Sequence, residues 1–218
     1  MAATHVHLQR CVGTASRRGS ALPRAENCAT LAHMTTTKRG RPALMDIILI
    51  TITVMVATVI VVYTLLNGIG PVPTNRRVLS CIDHCLPERV PGDVLELGAG
   101  WGGVALHLAK KYPDNRVVAV ENCPPVWLFC WLRAKCSRQS NLTVQYGIIY
   151  KQNVNNAGLV YCYLYPQAME RMAPILHHIQ PGGLIISQAF HLPGWRAHAT
   201  HQAADLWHSP VYCYTQKS

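Results

Sequence analysis

Glu96-Leu97-Gly98-Ala99-Gly100-Trp101-Gly102-Gly103 is the stretch of this chain whose residue types are most suited to chemistry. A short apolar run from Val94 carries Glu96 near its end, meets a glycine-rich turn, and continues into Val104-Ala105-Leu106-His107-Leu108-Ala109-Lys110, a helical pattern. Glycine tolerates positive φ and has no Cβ, so Gly98 and Gly100 offer bare backbone to a ligand, and Gly102 lets the helix start pack closely. The first turn of that helix adds unpaired N–H groups and a partial positive charge. Next comes Arg116-Val117-Val118-Ala119-Val120-Glu121, a second apolar run ending in an acid. A carboxylate in that place accepts hydrogen bonds from ribose hydroxyls. The unit reads as the strand–turn–helix–strand of a nucleotide-binding α/β domain.

The elements that must position these residues alternate. Strands are expected at 93–97, 116–121, 142–146, 159–163 and 184–187, and helices at 102–112, 124–138 and 166–178. Residues 211–214 read as a last, antiparallel edge strand. Strands alternating with helices predict an α/β, Rossmann-like, doubly wound and mostly parallel sheet, with ligand over the carboxyl ends of its strands. The dense apolar residues Trp127, Leu128, Cys130, Trp131 and Leu132 are expected to pack in the core. A short helix over 76–85 would place Cys81, His84 and Cys85 on one face, but a fourth ligand is lacking nearby and zinc sites pair their cysteines, so no metal is expected. His198, His201 and His208 are irregularly spaced and add none.

Ahead of this domain, 76–218, lie two segments of other character. Residues 1–42 carry Arg10, Arg17, Arg18, Arg24, Lys38, Arg39 and Arg41 against the single acid Glu26 and show no hydrophobic period. Disorder is expected there. The composition is also that of a transit peptide, and a third reading starts translation at Met34. Residues 47–66 form an uncharged apolar run, long enough at about 1.5 Å per residue to cross a ~30 Å hydrocarbon core. A single membrane-spanning helix over 44–66 is expected, with Tyr63 toward the far interface and Asn67-Gly68-Ile69-Gly70-Pro71 ending it. Lys38, Arg39 and Arg41 outweigh Arg76 and Arg77 and favour an inside N-terminus, whereas a cytosolic ligand requires the domain inside. The chemistry decides for a domain on the cytosolic (or matrix) side.

Composition agrees with a membrane surface as partner. Of 218 residues half are apolar and 14% charged, with 20 Lys+Arg against 10 Asp+Glu, a net charge of +10. No basic block is interleaved with aromatics, so nucleic acid is not expected, and anionic lipid is the plainer attractor. The nine cysteines lack framework spacing and are expected to be reduced, mostly buried thiols.

The spacing G-x-G-x-G, with an acid two residues before the first glycine, departs from the dinucleotide pattern G-x-G-x-x-G. It resembles motif I of the class I S-adenosylmethionine-dependent methyltransferases, and Glu121 resembles their ribose-binding acid. Further on, Tyr161-Cys162-Tyr163-Leu164-Tyr165-Pro166-Gln167-Ala168-Met169 and Phe190-His191-Leu192-Pro193-Gly194-Trp195, behind a membrane helix, resemble the small single-pass protein-lysine methyltransferases related to the ATP synthase c-subunit lysine methyltransferase and their bacterial relatives. The resemblance covers residues 44–218 and implies S-adenosyl-L-methionine as donor and a lysine, often in a membrane protein, as acceptor. It places Glu96, Gly98, Ala99, Gly100 and Gly102 at the methionine and ribose side, Glu121 on the ribose hydroxyls and Asn122 beside the adenine. Tyr165 and Pro166 would flank the opening where the methyl emerges, and Tyr163, Tyr165 and Trp195 would form an aromatic pocket that desolvates the lysine. His191 is a candidate base. One departure from the family pattern stands out: Gly147-Ile148-Ile149 replaces the polar residue expected beside the adenine amino group, with Gln145 or Asn153 as substitutes. That departure keeps a non-catalytic assembly factor in view, and an anchored site suits a lipid-soluble small acceptor as well as a lysine.

Overall fold

The computed structural model describes residues 41–217, so the expectations for 1–40 lie outside the described residues. The first helix, α1 (Arg41–Asn67), ends at the asparagine before Gly68. Its Ala43–Asn67 portion is long and apolar enough to cross a membrane by length and composition. Thr53, Thr58 and Thr64 return their hydroxyls to carbonyls four residues back at 2.8 Å, so the helix presents few free polar groups. Compact contacts divide the chain between Ile48 and Leu49, and the unit from Leu49 onward holds the sheet.

A linker leads to α2 (Arg76–Asp83), capped by Asn75, whose side chain accepts from the Val78 N–H at 2.9 Å. Alternation then sets in: β1 (Asp93–Leu97), α3 (Gly103–Lys111), β2 (Val117–Glu121), α4 (Pro124–Cys136), β3 (Leu142–Tyr146), β4 (Ala157–Cys162), α5 (Pro166–Leu176), β5 (Leu184–Gln188), β6 (Ala199–Gln202) and β7 (Pro210–Thr215). The sheet has seven strands in the order β3-β2-β1-β4-β5-β7-β6. β1 to β5 run parallel, and β7 is antiparallel to both β5 and β6. This is the α/β, Rossmann-like doubly wound sheet that the alternation predicts.

Two apolar layers sandwich it. One side carries Leu95, Leu97, Val118, Val120, Val160 and Ile185 against α5 residues Met169, Met172 and Leu176. The other carries Val94, Val117, Leu159 and Ile186 against Val104 and Leu108 of α3 and Val78 and Ile82 of α2. Strands buried on both faces are why β2 and β4 read as near-continuous apolar runs, and why Glu96 is buried within β1.

Three expectations need correction. Residues 210–215 do not form the edge: β7 lies inside the sheet, and the edge is β6, whose Ala-Thr-His-Gln sequence has no apolar stripe because one side faces solvent. The helix over 124–136 is not packed all round: Val126, Cys130 and Ala134 are buried, while Leu128, Phe129, Trp131 and Leu132 are exposed. The cysteines are not all free thiols: Cys85 and Cys213 form a disulfide across a sequence separation of 128, and Cys81, Cys123, Cys130, Cys136 and Cys162 are free.

β4 can pair in the centre only because residue 158 has no side chain. A Cβ on Gly158 would overlap the Pro91 carbonyl and approach Gln180 Nε2 to 2.6 Å. Gly158→Ala is therefore expected to destabilise the domain by about 3 kcal/mol, read as a lowered midpoint in urea unfolding of the full chain.

Candidate functional site

The carboxyl ends of β1, β2 and β4 open onto a cleft of about 1020 Å³ including its mouth. Its floor is the turn after β1. Gly98, Gly100 and Gly102 all have positive φ, at 81°, 52° and 74°. Gly98, Ala99 and Gly100 line the cleft; Gly102 does not, and acts instead as the left-handed residue before α3. A Cβ there would sit 2.6 Å from Cys130 Sγ, so Gly102 is what lets the turn seat against α4.

Two acidic side chains meet this turn in different hydrogen-bonding surroundings. Glu121, at the end of β2, is ringed by donors. One oxygen accepts from the Gly100 N–H at 2.7 Å, and the other from the Asn122 and Cys123 N–H groups, each at 2.9 Å. Glu96, in β1, is 2% exposed, and its Oε2 has no hydrogen-bond partner among the described residues. Burial holds its carboxyl well above the usual carboxylate range; a hydrogen bond with the Ala105 backbone opposes this, and the Glu121 charge adds to it. A buried oxygen without a partner, on a residue that lines a cleft, calls for a donor or cation from the ligand.

The roof comes from a segment that the sequence alone presents as tether and linker. Ile60, Tyr63, Thr64 and Asn67 of α1, then Ile69 to Val72 and Thr74, line the cleft. Asn67 and Asn122 exchange two side-chain hydrogen bonds at 2.9 Å, Trp101 Nε1 donates to the Pro71 carbonyl, and Tyr165 packs on Gly68 so tightly that a Cβ there would lie 2.7 Å from its ring. The signal for this is faint in the sequence: a single asparagine closing an apolar run, which reads simply as a helix end.

The remaining wall is aromatic. Tyr161, Tyr163 and Tyr165 line it, with Tyr150 and Arg171 opposite; the guanidinium lies 4.0 Å from the Tyr150 ring centroid. Tyr161 is fully buried and donates to Gln188 Oε1 at 2.5 Å. Pro166 opens α5 beside Tyr165 but does not line the cleft. Trp195 is not brought there either: it stacks on His177 at 4.5 Å and meets Tyr214 edge-on at 6.4 Å, against the core under β7. His191 is exposed and also outside the lining. At the far end, Ile148 and Ile149 line the cleft where a polar residue is expected; neither Gln145 nor Asn153 reaches it, and Asn67 and Asn122 are the amides at hand. Tyr150, Tyr161, Arg171 and Asn67 are lining residues that sequence reasoning misses.

Away from the cleft, Cys85, His201 and Cys213 bring their ligand atoms within 4.8 Å of one another. The disulfide uses both sulfurs, which leaves one imidazole.

Comparison with known proteins fits this geometry. The family model described as the ANTKMT methyltransferase domain matches residues 96–199, from the buried glutamate to the first residue of β6. An RNA methyltransferase of Salinibacter ruber, solved with S-adenosyl-L-homocysteine, superposes with a TM-score of 0.58 at 24% identity, over 67% of this chain and 95% of that one. A precorrin-6y C5,15-methyltransferase of Geobacter metallireducens gives 0.51 at 14% identity, over 65% and 86%. A SAM-dependent methyltransferase of Aquifex aeolicus gives 0.52 at 10% identity, over 65% and 89%. A curated malonyl-[acyl-carrier protein] O-methyltransferase of Xylella fastidiosa is 24% identical over 130 residues; the match spans 57% of this chain and 43% of that relative's length.

The raised Glu96 proton affinity has a measurable sign. Its stabilising contribution is complete below the ordinary glutamate value of about 4.3 and is lost as pH rises through the raised folded-state value, because the folded chain holds a proton that the unfolded one has released. The melting temperature of the wild type is expected to fall by several degrees relative to that of Glu96→Gln across that window; parallel curves would contradict the assignment.

Proposed function

We propose, from a chain with the class I methyltransferase fold whose residues 96–199 match the ANTKMT methyltransferase domain model, a membrane-anchored S-adenosyl-L-methionine-dependent methyltransferase acting on the amine of a protein lysine. The observation that carries this reading is the pairing of two differently prepared carboxylates across a glycine turn.

The residues of the cleft fit the donor. Gly98 to Gly100 would take the methionine portion along bare backbone, and the unpartnered Glu96 oxygen suits its ammonium group. Glu121, fixed by three N–H groups, keeps lone pairs for the ribose hydroxyls, and Asn122 with Asn67 would meet the adenine end. When bound, S-adenosyl-L-methionine supplies a methyl group already activated on a sulfonium. The protein's task is then alignment and desolvation. Tyr161, Tyr163 and Tyr165 enclose a site in which an amine favours its neutral, nucleophilic form, and their ring faces attract cationic centres. Tyr165, Pro166 and the Gly68 turn would frame the acceptor's entry. Trp195 falls outside this arrangement and is assigned to packing.

The length and composition of α1 support a single-pass anchor, and a cytosolic donor supports a domain on the cytosolic (or matrix) side. An acceptor at the bilayer surface accords with both, with a protein lysine preferred from the resemblance of residues 161–169 and 190–195 to the single-pass protein-lysine methyltransferases. The apolar roof from Ile60 to Val72 favours a lipid-soluble small molecule as the second reading.

Membranes containing the full chain, incubated with tritiated methyl donor, are expected to label the protein fraction; label confined to the lipid fraction selects the second reading, and no label rejects both. In Gly98→Arg, where the turn has φ 81° and Leu164 Cδ2 already lies 3.1 Å from a notional Cβ, labelling is expected to fall to background. Asn67→Ala, which breaks the paired amides, is expected to weaken S-adenosylhomocysteine binding at least fivefold in calorimetry while the far-ultraviolet dichroism stays unchanged.

A further inference from the structure

α4 is apolar on both its buried and its exposed face. Val126, Cys130 and Ala134 point at the sheet, and the opposite side should be polar. Instead Leu128, Phe129 and Leu132 are 47%, 49% and 49% exposed, and Trp131 is 36% exposed. Leu128, Trp131, Leu132 and Lys135 fall at helical spacing of three, four and seven, so they share one face. Scattered exposed leucines need no explanation, but an apolar stripe on a single helix does.

The surroundings of α4 indicate what covers it. The helix begins two residues after Asn122, and Asn122 is held by two hydrogen bonds to Asn67, the last residue of the apolar helix α1. Trp127 meets Tyr146 edge-on at 5.7 Å, and Tyr146 in turn interacts with Tyr63 of α1. Phe129 meets Trp101 at 5.2 Å, and Trp101 donates to the Pro71 carbonyl just beyond α1. The apolar surface of α1 therefore continues, through a band of Tyr and Trp rings, onto the exposed face of α4. Such rings concentrate where hydrocarbon meets headgroups. Basic residues complete the pattern: Arg133 and Lys135 occupy the last turn of α4, Lys135 lies 5.8 Å over the Trp131 ring, and the whole chain carries +10. Long cationic side chains beside an apolar stripe reach up to anionic headgroups while their stems stay with the hydrocarbon.

We infer that α4 is a second membrane-contact element, lying in the plane of an anionic bilayer with Leu128, Phe129, Trp131 and Leu132 in the headgroup–acyl boundary. This rests on the anchored reading of α1. Two contacts then orient the cleft against the membrane: α1 fixes a point, and α4 removes rotation about it.

The test uses the full chain in vesicles of phosphatidylcholine and phosphatidylglycerol, with and without brominated acyl chains that quench nearby indoles. Trp207, 82% exposed after β6 at the opposite edge of the sheet, is the internal control. Replacing Trp131 by Phe is expected to remove at least twice as much bromine-quenchable fluorescence as Trp207→Phe. Leu128→Glu/Leu132→Glu, at half-exposed positions, is expected to lose the same share of quenching while still floating with the vesicles and melting within a few degrees of the wild type. Flotation without quenching of Trp131 overturns the α4 contact and leaves the anchor standing. Failure to float after an alkaline wash overturns the anchor and this inference with it. Leu128→Glu/Leu132→Glu converting a dimer to a monomer, with quenching unchanged, assigns the face to a second copy of the chain and overturns the lipid contact.

Discussion

The Glu121 carboxylate is the contact on which the site depends. Its two oxygens gather N–H groups from the glycine turn after β1 and from the backbone that enters α4. A charged acceptor with three well-aligned donors is worth more than three neutral bonds, because each N–H that would otherwise face the cleft unpaired is satisfied by a group of opposite charge. The turn cannot hold Gly98 and Gly100 at positive φ by steric preference alone, since glycine prefers nothing strongly. Glu121 supplies the preference at Gly100, and the Val120 carbonyl, which accepts from the Gly98 and Ala99 N–H groups at 2.9 Å, supplies it at Gly98. By fixing residue 122 as well, Glu121 sets where α4 starts and where Asn122 can meet Asn67.

Glu96 is its counterpart. It sits one strand away in a pocket too apolar for a free carboxylate, with one oxygen unpartnered. A buried, perturbed carboxyl that lines a cleft is a candidate for ligand contact. One acid is built to organise backbone and the other is left in want of a partner, although both read in the sequence as a glutamate near the end of an apolar run.

The sheet was largely legible because its central strands are buried on both faces and its turns carry glycine or proline; β1, β2 and β3 fall where the pattern places them. β6 was not legible, because an edge strand of alternating exposure needs no apolar residues, and its histidine resembles a loop residue. The glycine turn and both glutamates could be placed at the strand ends from spacing, since that pattern is local, whereas Tyr165 came only from the family resemblance. The roof of the cleft could not: it depends on Asn67 meeting Asn122 across 55 residues, and no local pattern encodes such an encounter. Trp195 departs from its expected place for the same reason in reverse, because proximity in sequence to a strand end says nothing about which side of β7 an indole will take. The Cys85–Cys213 disulfide is likewise a long-range event, with nothing in either neighbourhood to announce it.

The amide pair between Asn67 and Asn122 redraws where this protein can be divided. By composition the α/β domain begins near Arg76, after the linker, and a fragment cut there would retain all seven strands. It would also lack everything from Ile60 to Thr74 that closes the cleft from above. The smallest piece with the whole cleft lining therefore starts inside α1. Any shortened version that keeps the full lining must carry α1 from Ile60 to Asn67 with it.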